Sequence, residues 1–585
     1  MKNLFYLVLV LLICPNATAQ ESKWESWFWP NKGLPRNANS PLFQDSLSLR
    51  PFRLFQEPEI FPIVNQPASA IYKIDLDDML DTEEPWIIEF WLINHVNQPI
   101  GFEVFLEQRP VLSNWNKKWL LPGREEPQGF WGKYFTHLVL SNGENGLRIY
   151  ENGDLLFQGE KARGHVLLLR SYLQEEPFMK LDHWVKHLSF FSGAMAENWV
   201  KERFRQHQLW KKEGIRIPGK FHFLAEPYLY APGPNQMQIT FELDRKAEVK
   251  LLFGEDIRSF EALELSPQHE NRYHVRLNDL KSNSPYFYEI EATDEKGNIL
   301  KSGPLTFRTA PEKNSPILVG LVSDTESRPQ INEQIGMQLW DERVDLVLHL
   351  GDITDGGKEA EKWQWTQEFF PGSSALYSRI PNIPVAGNGE GDLFWYKAYH
   401  PQTNALGCNS TDYGPATFFV LNSNQPGELQ KGGAQYEWLK NELSQSKSPW
   451  KFVMMHHAPY SMDEDDYGDT WQGKGSYGDR RFQPLLRLLE DFDVDMMFFG
   501  HLHTYMRSFP LNQDQIDFDR GITYVQVGGM GGNLEDFAPN RVPFSAKTFR
   551  GFHYGTISIT LGRLELRVYT GDGKLIDIFE VRKKN

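Results

Sequence analysis

The chain has 585 residues, with 61 Lys plus Arg against 77 Asp plus Glu and a formal net charge of −16. That length calls for several domains at roughly 150 residues each. The acidic excess is spread along the chain without a long single-sign block, which excludes the basic stripes that hold nucleic-acid backbones, so no nucleic-acid-binding surface is evident.

The N-terminus, MKNLFYLVLVLLICPNATAQ, carries Lys2, an apolar run from Leu4 to Ile13, and Ala17 and Ala19 ahead of Gln20. This predicts a secretory signal peptide over 1–19, and a secreted, periplasmic or cell-surface protein. The run is short of the ~20 residues a spanning helix needs, so no transmembrane segment is expected after cleavage. Lipid attachment at Cys14 is disfavoured by Ile13 before it. Cleavage leaves Cys408 alone, without an intramolecular disulfide, and it reads as an ordinary buried or loop cysteine.

Residues 20–59, rich in Trp, Pro and Asn, read as an irregular arm. From 60 to 212 short alternating strands predict a β-sandwich, with Asn152-Gly153 at a hairpin turn. Here GLRIYENGDLLFQG, followed by MKLDHWVKHLSFFSGAMAENWVKERF, resembles laminin-G-like, concanavalin-type domains. That resemblance implies either a glycan or protein ligand or a module that merely packs on its neighbour. From 213 to 311, MQITFELDRKAEVKLLFGE and SPYFYEIEATDEKGNILKSGPLTFRTAP alternate at period two, predicting a second sandwich. It resembles the fibronectin-III-like domain that precedes the catalytic domain of purple acid phosphatases. Pro311 to Pro316 reads as a hinge.

From 312 to 585 strands alternate with helices. PILVGLVSD, VDLVLHLGD, NIPVAGN, KFVMMHH and VDMMFFGH are continuous apolar runs, each ending in a polar residue, and between several of them lie helical segments. The expected fold class is therefore multidomain: two N-terminal β-sandwiches followed by an α/β domain of central sheets flanked by helices.

Polar residues at the carboxyl ends of such strands converge on one crevice. The endings are Asp324, Asp352, Asn388, His456 and the pair His501/His503. Any one of them reads equally as a cap, a turn residue or a satisfied core histidine. Together they supply oxygen and imidazole donors, without thiolates, for two metal ions of the iron, manganese or zinc type.

These motifs identify a member of the calcineurin-like metallophosphoesterases, similar to the purple acid phosphatase branch. GDITD resembles the family's GD motif, GNGE its GNHE, HHAPYS its histidine-bearing strand end, and GHLHTYMRS its GHxHxYxR. The resemblance implies that Asp352 bridges two metals, Asp324 and His503 hold the first, and Asn388, His456 and His501 hold the second. His457 is the alternative to His456 if the strand end is shifted by one. It further implies a phosphate mono- or diester substrate hydrolysed by hydroxide held at a dinuclear centre, and a structural role for Arg507.

Three positions depart from the family pattern. Glu326 stands where some members have a metal-ligating histidine, so it is either a further ligand or a solvated loop residue. Asp355 takes the place of the tyrosine that colours the purple branch. Gly389 replaces the histidine that contacts phosphate and protonates the leaving group, which leaves no assigned catalytic side chain. An alternative is a surface or periplasmic glycan- or protein-binding protein on a weakened or inactive phosphatase fold.

Overall fold

The computed structural model describes residues 221–230, 232–266, 271–401, 404–464, 477–539 and 542–583. Before them it describes 8–9, 22–27, 59–61, 69–76, 83–93, 101–107, 109–115, 118–122, 135–172, 185–195 and 198–214. Most of the expected signal peptide and arm lies outside the described residues. The chain divides into two compact units, one within 1–220 and one formed by Phe221–Asn585 with Gly33–Pro41. Among the described residues no helix is long and apolar enough to cross a membrane.

The first unit holds two antiparallel sheets. One includes Val185–Ser192, Trp86–Ile93, Phe135–Gly143, Gly146–Glu151 and Asp154–Gln158 as successive neighbours; the other includes Ser69–Asp75, Val166–Tyr172, Gly101–Leu106 and Arg109–Trp115. Asn152 and Gly153 both have positive φ, at 52° and 92°, the backbone that a two-residue hairpin turn requires and Asn-Gly supplies. A buried charge cluster ties the helix Trp199–Glu213 to this sheet. Arg203 donates to the fully buried Glu89 through Nε (3.0 Å), and His137 Nε2 lies 2.8 Å from the same carboxylate. Buried charges persist only when paired in this way.

In the second unit two large sheets stack face to face. The first has nine strands, ordered Arg272–Leu277, Met237–Leu243, Phe223–Tyr230, Asn382–Pro384, Leu346–His349, Ile317–Val322, His553–Ile559, Arg563–Thr570 and Leu575–Arg582. The second has seven, with Ala416–Val420, Trp450–Met454, Met496–Phe499 and Thr523–Val527 as successive parallel neighbours. Val319, Leu321, Leu348 and Ile383 from one sheet meet Phe418, Phe452, Met454, Phe498 and Val525 from the other in a single buried core. The outer faces are buried too. Val322 and Val347 pack with the helix Pro329–Glu342, and Val453, Met455 and Met497 with the helices Ala434–Gln445 and Gln483–Asp491. Burial on both faces is why these strands read as unbroken apolar runs.

The expected hinge at Pro311–Pro316 does not separate the sheets on either side of it. Tyr230 pairs with Asn382 in parallel, and Asn382 Nδ2 donates to the carbonyl of Leu229 at 2.9 Å. Strands before the prolines thus continue the sheet that follows them. A smaller sheet, in which Ala247–Asp256 and Pro285–Asp294 pair, completes the segment before the prolines.

Candidate metal centre

The parallel strands deliver their polar ends to one place. Ile317–Val322 leads to Asp324, Leu346–His349 to Asp352 and Asn382–Pro384 to Asn388 in the first sheet. In the second sheet Trp450–Met454 leads to His456, and Met496–Phe499 to His501 and His503. Asp324, Asp352 and His501 have φ of 57°, 46° and 74°, a left-handed backbone that is uncommon for these residue types. Such sharp turns fold the side chains back over the strand ends, and strain of this kind concentrates at functional sites.

Ligand-type atoms of Asp352, His456 and His501 lie within 4.8 Å of one another. His456 Nε2 is 3.2 Å from Asp352 Oδ1 and 3.1 Å from Asn388 Oδ1, while its Nδ1 lies 3.0 Å from the Leu350 carbonyl. On the other side, His503 Nε2 is 3.5 Å from Asp324 Oδ1 and 3.7 Å from Glu326 Oε1, with Nδ1 against the Asn533 carbonyl. The backbone N–H of His501 donates to both oxygens of Asp324 at 3.2 Å, which joins the two groups. Of these side chains only Asn388 is exposed; Asp324, Asp352, His456 and Glu326 are buried.

The charges are arranged to hold cations. Burial alone would raise the Asp352 carboxyl, but the facing His456 more than offsets it and holds the group well below the usual carboxylate range. Burial disfavours a charged His456, yet Asp352 and Asp324 lift its pKa to about 9. His503 is likewise lifted to about 10 against burial, by Asp324, Glu326 and Glu535. Two imidazoles carry protons where carboxylates would otherwise repel one another.

A metal pair fits this donor set. In both His456 and His503 a backbone carbonyl takes the Nδ1 proton and leaves Nε2 facing a carboxylate, the arrangement that orients metal-bound histidines. Space is kept by glycine: a Cβ on Gly500 would lie 1.9 Å from Ser323 Oγ and 2.6 Å from Asp324 Oδ2. Among the described residues no thiolate intrudes. Cys408 is buried beside Asn404, and burial pushes its thiol up to about 11.

Residue by residue, the structure brings together all six strand-end candidates and also Glu326. His457 is not the one that faces Asp352; its Nδ1 is 2.8 Å from Ser423 Oγ. Arg507 pairs with Asp577 at 2.7 Å and covers the Phe579 ring, anchoring a strand of the second sheet to the C-terminal strand. Asp355 is half-buried, and its carbonyl accepts from Gln364 Nε2 at 3.0 Å.

Gly389 is more than an absent histidine. Its N–H donates to Asp352 Oδ1 at 2.7 Å, and its carbonyl accepts from the N–H groups of Gly356 and Gly357, both at 2.8 Å. A Cβ there would lie 2.1 Å from the Thr354 carbonyl oxygen. The backbone has closed over the place a side chain would leave from. Beside it, Glu390 is fully buried and accepts from the N–H groups of Thr354 (3.1 Å) and Gly387 (2.6 Å); burial and then Asp352 push its carboxyl up to about 8. Neither Glu390 nor Ser423 stands out in the sequence as a site residue, although Glu390 closes the GNGE motif.

Two stacked sheets with oxygen and imidazole donors at their adjoining carboxyl ends give the C-terminal region a phosphoesterase-like fold. Residues 318–505 match the calcineurin-like phosphoesterase family, so the chain carries a domain of that family. Among curated proteins the chain is similar to probable inactive purple acid phosphatase 27 of Arabidopsis thaliana, at 24% identity over 335 residues, 48% of this chain and 52% of that one. It is also similar to a nucleotide pyrophosphatase/phosphodiesterase of Hordeum vulgare, at 25% over 345 residues, 50% of this chain and 91% of that one. The chain spans about half the length of the first of its curated relatives. Among solved structures, purple acid phosphatase PPD1 from yellow lupin (Lupinus luteus) seeds shares the fold, with a TM-score of 0.55 at 17% identity over 90% of this chain and 93% of that one.

Proposed function

We propose that the protein is an exported, metal-dependent phosphoesterase acting on phosphate mono- or diesters. The observation that carries this reading is the pair of histidines, His456 and His503, each tied through Nδ1 to a carbonyl and each turning Nε2 toward a buried aspartate. In this reading Asp352 would be the shared carboxylate, Asp324, His503 and Glu326 would hold one ion, and Asn388, His456 and His501 would hold the other. When bound, such a pair supplies an activated water and neutralises charge on the transferring group.

The role of the chain itself is to orient and to exclude. The Gly389 N–H fixes the Asp352 oxygen nearest His456, and Asn388 is the exposed member of the set. No side chain at 389 protonates a leaving group, and a positioned acid is typically worth 10²–10⁴-fold in rate, roughly 3 to 5 kcal/mol. Esters with good leaving groups are therefore the preferred substrates. The name of the barley relative supports diesters and pyrophosphates within this class.

A second reading, a surface protein that binds a glycan or another protein and keeps only a weakened phosphatase fold, is favoured by Gly389 and by relatives named as probably inactive. One experiment separates the two: metal content after supply of manganese, iron or zinc, together with hydrolysis of p-nitrophenyl phosphate and its bis-ester. Two ions per chain and cleavage of either ester are expected. A chain that takes up no metal and cleaves neither is not a phosphoesterase.

A further inference from the structure

His457 follows a residue that points into the crevice, and along an extended strand it would point away. Instead its ring stays beside the site, with its centroid 4.6 Å from that of His501 and 5.4 Å from that of His456. Ser423 holds it there. The Ser423 hydroxyl oxygen accepts the backbone N–H of His457 at 3.1 Å and of His456 at 3.3 Å, and lies 2.8 Å from His457 Nδ1.

A serine hydroxyl has two lone pairs and one hydrogen. Both lone pairs are used by the backbone, so the hydrogen goes to Nδ1, and Nδ1 is the acceptor. The ring proton of His457 then sits on Nε2, across the ring from Ser423. The side chain is half-buried, and Nε2 has no hydrogen-bond partner among the described residues. The arginine whose charge reaches His457, Arg481, is paired with Asp479.

We propose that His457 donates its Nε2–H to an oxygen of the phosphoryl group held in the crevice, supplying the phosphate contact that Gly389 lacks. This rests on the phosphoesterase reading above. A neutral donor suits the position, because it favours an anionic oxygen without placing another positive charge against the cation site. It binds phosphate and moves no proton, so the restriction to good leaving groups remains.

The test compares metal-loaded wild type, His457→Ala and His457→Gln for binding of inorganic phosphate by calorimetry, with metal content measured in each. Histidine ¹⁵N spectra of the wild type report which ring nitrogen carries the proton. Expected are a His457 ring protonated at Nε2 alone and equal metal content in all three proteins. Phosphate binding should weaken about tenfold or more in His457→Ala, the range of a hydrogen bond to a charged group. Near-wild-type binding is expected in His457→Gln, whose amide N–H reaches the place of Nε2. Unchanged phosphate affinity in His457→Ala, loss of metal from it, or a proton on Nδ1 would overturn the assignment while leaving the phosphoesterase reading intact. A wild type that takes up neither metal nor phosphate would overturn both.

Discussion

At the scale of single residues, the position that looked most like a loss is an adaptation of the backbone. Restoring a histidine at 389 would not restore an acid, because any Cβ there meets the Thr354 carbonyl oxygen at 2.1 Å. Gly389→Ala is expected to displace the turn, break the hydrogen bond to Asp352 and lower metal occupancy, at a stability cost of about 1–3 kcal/mol, the range for overfilling a packed site. Metal analysis and thermal denaturation of that variant check both effects; unchanged metal content would mean that the turn yields freely. The residues that converge at the strand ends were legible in the sequence because they follow apolar runs. Ser423 was not. Its partners are backbone N–H groups more than thirty residues away, an interaction that leaves no mark on composition or spacing.

At the scale of elements, strand ends and several of the helices followed from periodicity, but the segment from Lys362 to Tyr377 did not. It contains a π-helical turn at Trp365–Phe369, and Pro371 and Gly372 stand inside the helix that follows. Pro and Gly read as breakers by propensity. Here Gly372 is needed because a Cβ would lie 2.4 Å from the Pro329 carbonyl oxygen, so that two helices can cross closely. Next to this segment a buried cluster joins elements far apart in the chain. Lys362 Nζ donates to the fully buried Glu242, Tyr399 Oη donates to the same carboxylate at 2.7 Å, and Arg272 Nε lies 3.6 Å from it. Glu242→Ala leaves these donors without an acceptor and should destabilise the second unit by about 3–5 kcal/mol, the usual cost of breaking a buried pair from one side. Chemical denaturation measures it; a loss under 1 kcal/mol, roughly what an exposed pair contributes, would show that the cluster is solvated.

At the scale of the whole molecule, the candidate cation site makes the stability of the metal-free chain fall with rising pH, while the stabilisation that metal adds grows. In the metal-free chain His456 and His503 hold protons up to about 9 and 10, whereas an unfolded histidine releases its proton near about 6.5. Their contribution is therefore complete below about 6.5 and is lost as pH rises through 9 to 10. Metal must displace the same protons, so its affinity rises over that interval. Chelator-treated protein should melt at progressively lower temperature from pH 7 to 10, and metal should raise the melting temperature by more at pH 8.5 than at 6.5. A metal effect independent of pH would exclude these imidazoles as ligands.

The pairing of Tyr230 with Asn382 has a practical meaning for anyone cutting the chain. The strand that leads to Asn388 is short, and on one side its neighbour is a strand from before the prolines, joined through the Tyr230–Asn382 pairing and the Asn382 side-chain bond to the Leu229 carbonyl. A fragment begun at 312 would bare that flank as an unprotected sheet edge, the kind of surface through which chains associate with one another. Such a fragment should aggregate and displace Asn388 from the candidate site, whereas one begun at Phe221 should stay monodisperse in size-exclusion chromatography. The nine-stranded sheet is the unit to keep whole in expression and design, and the proline-rich join that looks like a natural place to divide the protein lies inside it.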